Sequence, residues 1–129
     1  FLNNQNKNYI IKDSIHNFPE QFEAILKSII WDLNPIKMGC QIGQDIKGKL
    51  KYSHELAFSN QLKPYCFDCV DVSLNEAIRF LQKKVLSDIP DIESWALILY
   101  NKQPIGWVKK VGNRLNNYYP KEFRIRKEF

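Results

Sequence analysis

Between positions 107 and 127 the chain carries seven basic side chains, Lys109, Lys110, Arg114, Lys121, Arg124, Arg126 and Lys127, against one acid, Glu122. The remainder holds 12 basic and 13 acidic residues, so the formal charge of +5 resides in this one run. Trp107, Tyr118, Tyr119 and Phe123 stand between the charges. Ammonium and guanidinium groups neutralise phosphates, and aromatic faces stack on unpaired bases. The run therefore reads as a nucleic-acid contact surface. Lys109, Lys110, Arg114, Lys121, Arg124 and Arg126 are its phosphate or base-edge candidates. Asn116, Asn117 and Tyr118 are candidates for bases or sugars, although an Asn pair more often makes a turn. Trp107 and Tyr118 serve equally well as core residues.

Other reactive side chains form no comparable constellation. Cys66 and Cys69 invite a zinc reading, but zinc needs a second pair at suitable spacing, and only Cys40, His16 and His54 remain, scattered along the chain. Strand residues three positions apart face opposite sides, so both thiols cannot ligate one ion without a turn. A redox pair would instead open a helix. Ordinary buried thiols, with no metal, are expected. In Ser53–His54–Glu55 the side chains diverge if the segment is helical, whereas triads are assembled from distant segments, so His54 reads as a packing residue. Lys47, Lys49 and Lys51 read as a solvated edge.

The elements that must position the run are legible in outline. Residues 1–8 read as a polar, frayed start and 9–11 as a short strand. Asn17 and Glu20 have capping-box spacing, and Phe22, Ile25, Leu26 and Ile29 recur at helical intervals, predicting a helix over 19–31. Residues 36–46 read as extended, and Ser53 caps a short helix to about Asn60. Pro64 marks a boundary between an N-terminal lobe, 1–63, and a second domain, 64–129. There 67–72 reads as a strand, and Ser73 with Glu76 forms a capping box for a helix whose stripe is Leu74, Ala77, Ile78 and Leu81. A polar loop over 87–93 leads to an apolar strand over 95–100. Asn101–Lys102 turns it into a second strand, 103–108. Several short strands with two or three small helices predict an α+β fold around a small curved sheet.

Composition narrows the class. At 129 residues, with 44% apolar and 26% charged residues, the chain suits one domain or two small lobes and is not disordered. No apolar run approaches the roughly 18 residues of a membrane span, and no signal-peptide pattern opens the chain. Three cysteines, an odd and low count, fit reduced thiols in the cytoplasm better than a secreted framework. The chain starts at Phe1 and its only methionine is Met38, which predicts a piece of a longer protein.

The segment PIGWVKKVGNRLNNYYPKEFR, residues 104–124, resembles the C-terminal signature of bacterial Nol/Nop/Sun-type RNA cytosine-5 methyltransferases of the RsmF kind. There a PUA-like RNA-binding domain ends in a passage like PLGWGK…G…LKNxYPKGLR. MGCQIGQDIKGKLKYSHELAFS is similar to a GLxLGxxKKGRFEPSHALA passage, and VDVSLNEAIRFLQ to LDLSxEEALxYLRGE. The likeness covers residues 36–126. Val108, Asn116 and Glu122 depart from the pattern, the last two lowering local charge, and Gln82–Lys83 stands where the pattern has Gly–Glu.

The resemblance implies a PUA-like sheet or pseudo-barrel with short helices, preceded by a smaller α/β lobe. It implies a non-catalytic region that binds RNA, in particular ribosomal RNA, and positions an upstream methyltransferase domain. That family's nucleophilic cysteine follows a proline, whereas Cys40, Cys66 and Cys69 follow Gly39, Tyr65 and Asp68. No Gly-rich strand–helix turn is present for S-adenosylmethionine. The cofactor is therefore expected in a catalytic domain upstream of Phe1, with none in this chain and no methyl transfer by it alone. The alternative is an intramolecular or protein–protein docking module whose basic face meets an acidic surface.

Overall fold

The computed structural model describes residues 6–11, 14–19, 40–59 and 67–129. The chain divides into two compact units, Phe1–Lys63 and Pro64–Phe129. In the first, β1 (Asn6–Ile11), β2 (Ser14–Pro19), β3 (Cys40–Ile46) and β4 (Lys49–Tyr52) form an antiparallel sheet in chain order. The β2–β3 register shifts between Ile15 and His16, with Ile15 opposite Gly43. A Cβ at Gly43 would stand 2.3 Å from the Lys51 carbonyl oxygen, so a residue without one is required where β4 crosses closest. Lys47–Gly48 turns the β3–β4 hairpin, with the Gly48 N–H donating to Asp45 Oδ1 at 2.9 Å.

Ser53 caps α1 (His54–Ala57) as its residue type predicts. Its hydroxyl accepts from the Leu56 N–H at 3.2 Å and donates to the Gln41 carbonyl, which ties the turn to β3. Two expectations change in this unit. The polar start is strand from Asn6 onward, because β2 supplies ladder partners as far as Pro19. Asn17 is not a helix cap: it is a buried residue of β2, paired with Asn8 on one side and Cys40 on the other. The helix expected over 19–31 lies outside the described residues beyond Pro19. The Ser53 helix ends at Ala57, before Asn60, with Phe58 as its C-cap.

In the second unit β5 (Asp68–Asp71) leads through α2 (Leu74–Leu81) into β6 (Trp95–Tyr100), β7 (Gln103–Val111) and β8 (Arg114–Asn117). A single 3-10 turn, Lys121–Phe123, follows. The sheet runs β5-β6-β7-β8, with β5 parallel to β6 and the other pairs antiparallel. This is the expected α+β arrangement, realised as an open sheet with β5 and β8 as edges, not as a closed barrel. Asn101 and Lys102, at φ 49° and 64°, make the two-residue turn between β6 and β7. Gly112, at φ 62°, takes the first position of the β7–β8 turn, a conformation that costs other residues energy.

The core of this unit combines Val70, Val72, Ala96, Ile98 and Val108 from the sheet region with Ala77 and Phe80 of α2 and Leu86 and Ile92 of the following loop. Phe80 is fully buried, and such a side chain contributes about 1.5–3 kcal/mol. It sets the helix's inward face, which includes Glu76 and Ala77. Leu74, expected in the stripe, is 56% exposed. The aromatic ring buries more area than the leucine and rotates the helix toward itself.

Both ends of α2 are built from named side chains. The Ser73 hydroxyl accepts from the Glu76 N–H at 3.3 Å. Glu76 uses its own carboxylate on the loop, accepting from the Ser87 N–H at 3.2 Å and the Ser87 hydroxyl at 3.0 Å. This half of the expected capping box is therefore diverted to tertiary structure. At the other end Lys83 sits at φ 61°. The Lys83 N–H donates to the Phe80 carbonyl and the Lys84 N–H to the Arg79 carbonyl, the two bonds of a Schellman motif. Counted from the cap Ser73, the glycine of the resembled YLRGE passage falls on Lys83 and not on Gln82, at the one position of this turn that favours it.

Candidate nucleic-acid interface

The candidate residues lie on β7, β8 and the chain that follows, and strand geometry divides them. Trp95 of β6 pairs with Lys109 of β7, and Lys109 pairs with Asn116 of β8, so these three form one cross-strand row. Alternation puts them on the face opposite Ala96, Val108 and Asn117. Lys109 Nζ lies 5.1 Å from the Trp95 ring centroid, a cation–π contact. Tyr118 is tilted against Trp95 at 4.8 Å. Trp107, on the same face, is 1% exposed and packs edge-on against Phe67 at 4.9 Å and Trp95 at 6.1 Å. Trp107 is core; Tyr118 and Lys109 are half-buried; Arg114 and Asn116 are exposed.

Lys110 and Asn117 point to the other face. The Lys110 ammonium meets Asp91 Oδ1 at 2.5 Å. That hydrogen bond, reinforced by the lysine's charge, holds the Asp91 carboxyl below its ordinary range. Lys110, Asn113 and Arg114 form one wall of a cleft of ≈ 260 Å³ whose other wall is the 86–92 loop, including Ser87 and Asp91. Asn117 is spent on the fold. Its amide nitrogen donates to the Phe80 carbonyl at 2.9 Å and the Lys84 carbonyl at 3.2 Å, and its oxygen accepts from the Tyr119 N–H at 2.9 Å. Both amide hydrogens are thus used within the fold, and the oxygen keeps one acceptor position.

The tail is held along the end of α2. The Ile125 N–H donates to the Leu81 carbonyl at 2.9 Å, and Gln82 Nε2 to the Lys127 carbonyl at 2.7 Å. Lys83 Nζ donates to the Asn117 and Tyr119 carbonyls at 2.9 and 2.8 Å. Lys121, Arg124 and Arg126 are exposed on this pinned segment, together with Phe123. The contiguous run thus becomes three groups: Lys109, Asn116 and Tyr118 beside Trp95; Lys110 and Arg114 in the cleft with Asp91; and the cations of the tail. Sequence reasoning did not select Trp95, Asp91 or Asn113. The Asn101–Lys102 turn was a partial signal, since it pairs β6 with β7, but the register shift between Ile98 and Leu99 that sets Trp95 opposite Lys109 is not visible in it.

The chain matches the family described as "Methyltransferase RsmF PUA domain" over residues 67–125. Residues 67–125 are thus similar to the PUA domain of RsmF-type methyltransferases. The chain is also similar to proteins named ribosomal RNA small subunit methyltransferase F from Salmonella paratyphi B (strain ATCC BAA-1250 / SPB7) and Salmonella agona (strain SL483). In both cases identity is 23% over 104 residues, 78% of this chain and 21% of the relative. The chain thus spans about a fifth of the length of these curated relatives. The matched segment contains every candidate contact residue except Arg126, one position past the match.

Among the described residues no group of three or more His, Cys, Asp or Glu side chains could hold a metal ion. No described helix is long and apolar enough to cross a membrane. The thiols are more open than expected: Cys40 is half-buried and Cys69 exposed, while Cys66 lies outside the described residues. Partial burial, then the Asp68 charge, pushes the Cys69 thiol up, away from the thiolate that nucleophilic chemistry needs.

Proposed function

We propose that this chain is the RNA-binding accessory region of an S-adenosylmethionine-dependent ribosomal RNA cytosine-5 methyltransferase, holding RNA for a catalytic domain that precedes it. One observation carries the reading: the segment matching the RsmF PUA domain contains five of the seven cations of the basic run, and the Arg114, Lys121 and Arg124 side chains are exposed on a backbone pinned by the sheet and α2. A pre-ordered set of cations binds phosphates without the entropic cost of ordering a loose tail. Phosphate contacts would set register, and amides such as Asn116 would read local shape. The names of the relatives supply the ribosomal substrate, and the methyl donor belongs to the catalytic domain.

Fluorescence anisotropy with structured small-subunit rRNA fragments tests the reading. Affinity should fall with salt at a log–log slope of about −0.7 to −0.9 per phosphate contacted. Replacing Lys121 and Arg124 together by Ala should flatten the slope by about 1.5. An unchanged slope removes the tail from the interface. No binding at low salt turns the assignment toward docking on an acidic protein surface.

A further inference from the structure

Lys110 is drawn in two directions. Its backbone N–H donates to the Ser94 carbonyl at 2.9 Å, which fixes its place on β7. Its ammonium reaches across to Asp91 on the loop after α2. The two partners are unequally sheltered: the lysine side chain is 30% exposed and the aspartate 85%. The cation therefore belongs to the wall of the adjoining cleft, whereas the anion approaches it from solvent.

That cleft has the composition of an oxyanion site. Lys110 and Arg114 bring two positive charges against the one negative charge of Asp91, Asn113 and Ser87 bring neutral polar groups, and apolar side chains such as Leu86 and Leu115 complete the lining. Arg114 is exposed and has no ion-pair partner among the described residues. The volume of ≈ 260 Å³ falls just below the roughly 300–1,000 Å³ of drug-sized ligand pockets, a fit for one phosphate and its sugar and too little for stacked base pairs.

We propose that this cleft receives one phosphodiester of bound RNA, with Lys110 and Arg114 on its oxygens and Asp91 as the resident counterion that the phosphate displaces. The inference rests on the RNA-binding reading and assigns it a site. A carboxylate oxygen and a phosphate oxygen present the same kind of acceptor to an ammonium group. An ion pair whose carboxylate lies in solvent contributes little, so exchanging Asp91 for a phosphate costs little. Arg114 then adds a contact that Asp91 does not make. Asp91 would lower affinity for any RNA whose backbone fails to reach Arg114 as well as Lys110, and so favour a particular backbone path.

Anisotropy titrations of the full chain with a structured rRNA fragment test this through paired substitutions. Asp91→Asn should tighten binding about three-fold, the equivalent of a weak exposed ion pair. The gain should vanish in a Lys110→Met background, because no cation is left to release. Glu93→Gln, which removes another exposed acid of the same segment, should tighten binding less than Asp91→Asn does. Equal gains from the two substitutions, or a gain that survives Lys110→Met, would reduce the effect to net charge and overturn the cleft. Amide resonances of Lys110, Asn113 and Arg114 should shift with RNA and not with inorganic phosphate at the same phosphate concentration. Equal shifts with both would mark a free-anion site instead. If the wild-type chain binds no RNA, both readings fall; if it binds without coupling between positions 91 and 110, only the cleft does.

Discussion

The side-chain amide of Asn117, at the end of β8, donates to the carbonyl of Phe80 inside α2 at 2.9 Å. The Phe80 carbonyl also accepts from the Lys83 N–H, and the neighbouring strand's side chain adds a second bond to it and one to the Lys84 carbonyl. The contact locks the helix that covers the sheet to the strand from which the basic tail departs. Replacing Asn117 by Ala should cost about 2 kcal/mol, since half-buried groups lose partners at both ends of the amide. The adjacent Asn116→Ala should leave stability within about 0.5 kcal/mol, as exposed substitutions do. Urea unfolding of the two variants checks the contrast, and equal midpoints would refute the clamp.

Glu76 is a buried acid whose carboxylate holds both the N–H and the hydroxyl of Ser87. Arg79, 3.8 Å from Glu76, donates from Nε and Nη2 to the Val85 carbonyl. Glu76→Ala should destabilise the second unit by about 2 kcal/mol and expose the 84–88 backbone. Hydrogen exchange at the Ser87 amide reads this directly, and unaltered protection would show that the loop holds itself.

Lys83 combines a left-handed backbone with two ammonium hydrogen bonds. Lys83→Ala and Lys83→Gly both remove those bonds, so the difference between them isolates the backbone. The glycine variant should be the more stable by about 1 kcal/mol, the usual penalty for a Cβ in that conformation. Thermal melts of the pair suffice, and a more stable alanine variant would contradict the φ of 61° at this position.

His54 stands against Phe58, ring centroids 4.9 Å apart, and burial pushes its imidazole below the ordinary range. The folded state thus favours the neutral ring. As pH falls from about 6.5, the unfolded chain gains a proton that the folded chain resists, so stability present above that pH is lost below it. The wild-type chain should lose more stability between pH 7.5 and pH 5 than His54→Phe does. Parallel denaturation curves would decide, and an equal loss in both would assign the pH dependence elsewhere.

Much of this architecture is legible without coordinates, because its signals are local. Ser53 and Ser73 cap helices because a hydroxyl beside an extended backbone finds the free N–H groups of the first turn. The apolar strand over 95–100, its Asn101–Lys102 turn and the cluster of charge at 107–127 are likewise properties of neighbours in the chain. Asn17 carries the same kind of signal but is no cap, since β2 draws it into a ladder with partners distant in sequence. Leu74 fails for a related reason: helical spacing shows that a stripe exists, whereas the burial of Phe80 decides which way it faces.

The division of the basic run shows where local information stops. Counting back symmetrically from the Asn101–Lys102 turn would set Trp95 opposite Val108, leaving Lys109 beyond the strand. The ladder instead shifts between Ile98 and Leu99, beside Pro104, which has no N–H to donate, and pairs Trp95 with Lys109. One extra residue in a strand moves every later side chain to a new partner. Composition and spacing thus established that the chain carries a concentrated cationic surface on a small α+β domain. Pairing between distant segments decided that Lys109 shares a face with Trp95, that Lys110 meets Asp91, and that Asn117 serves the helix, because register and covered face depend on strands that meet only in the folded molecule.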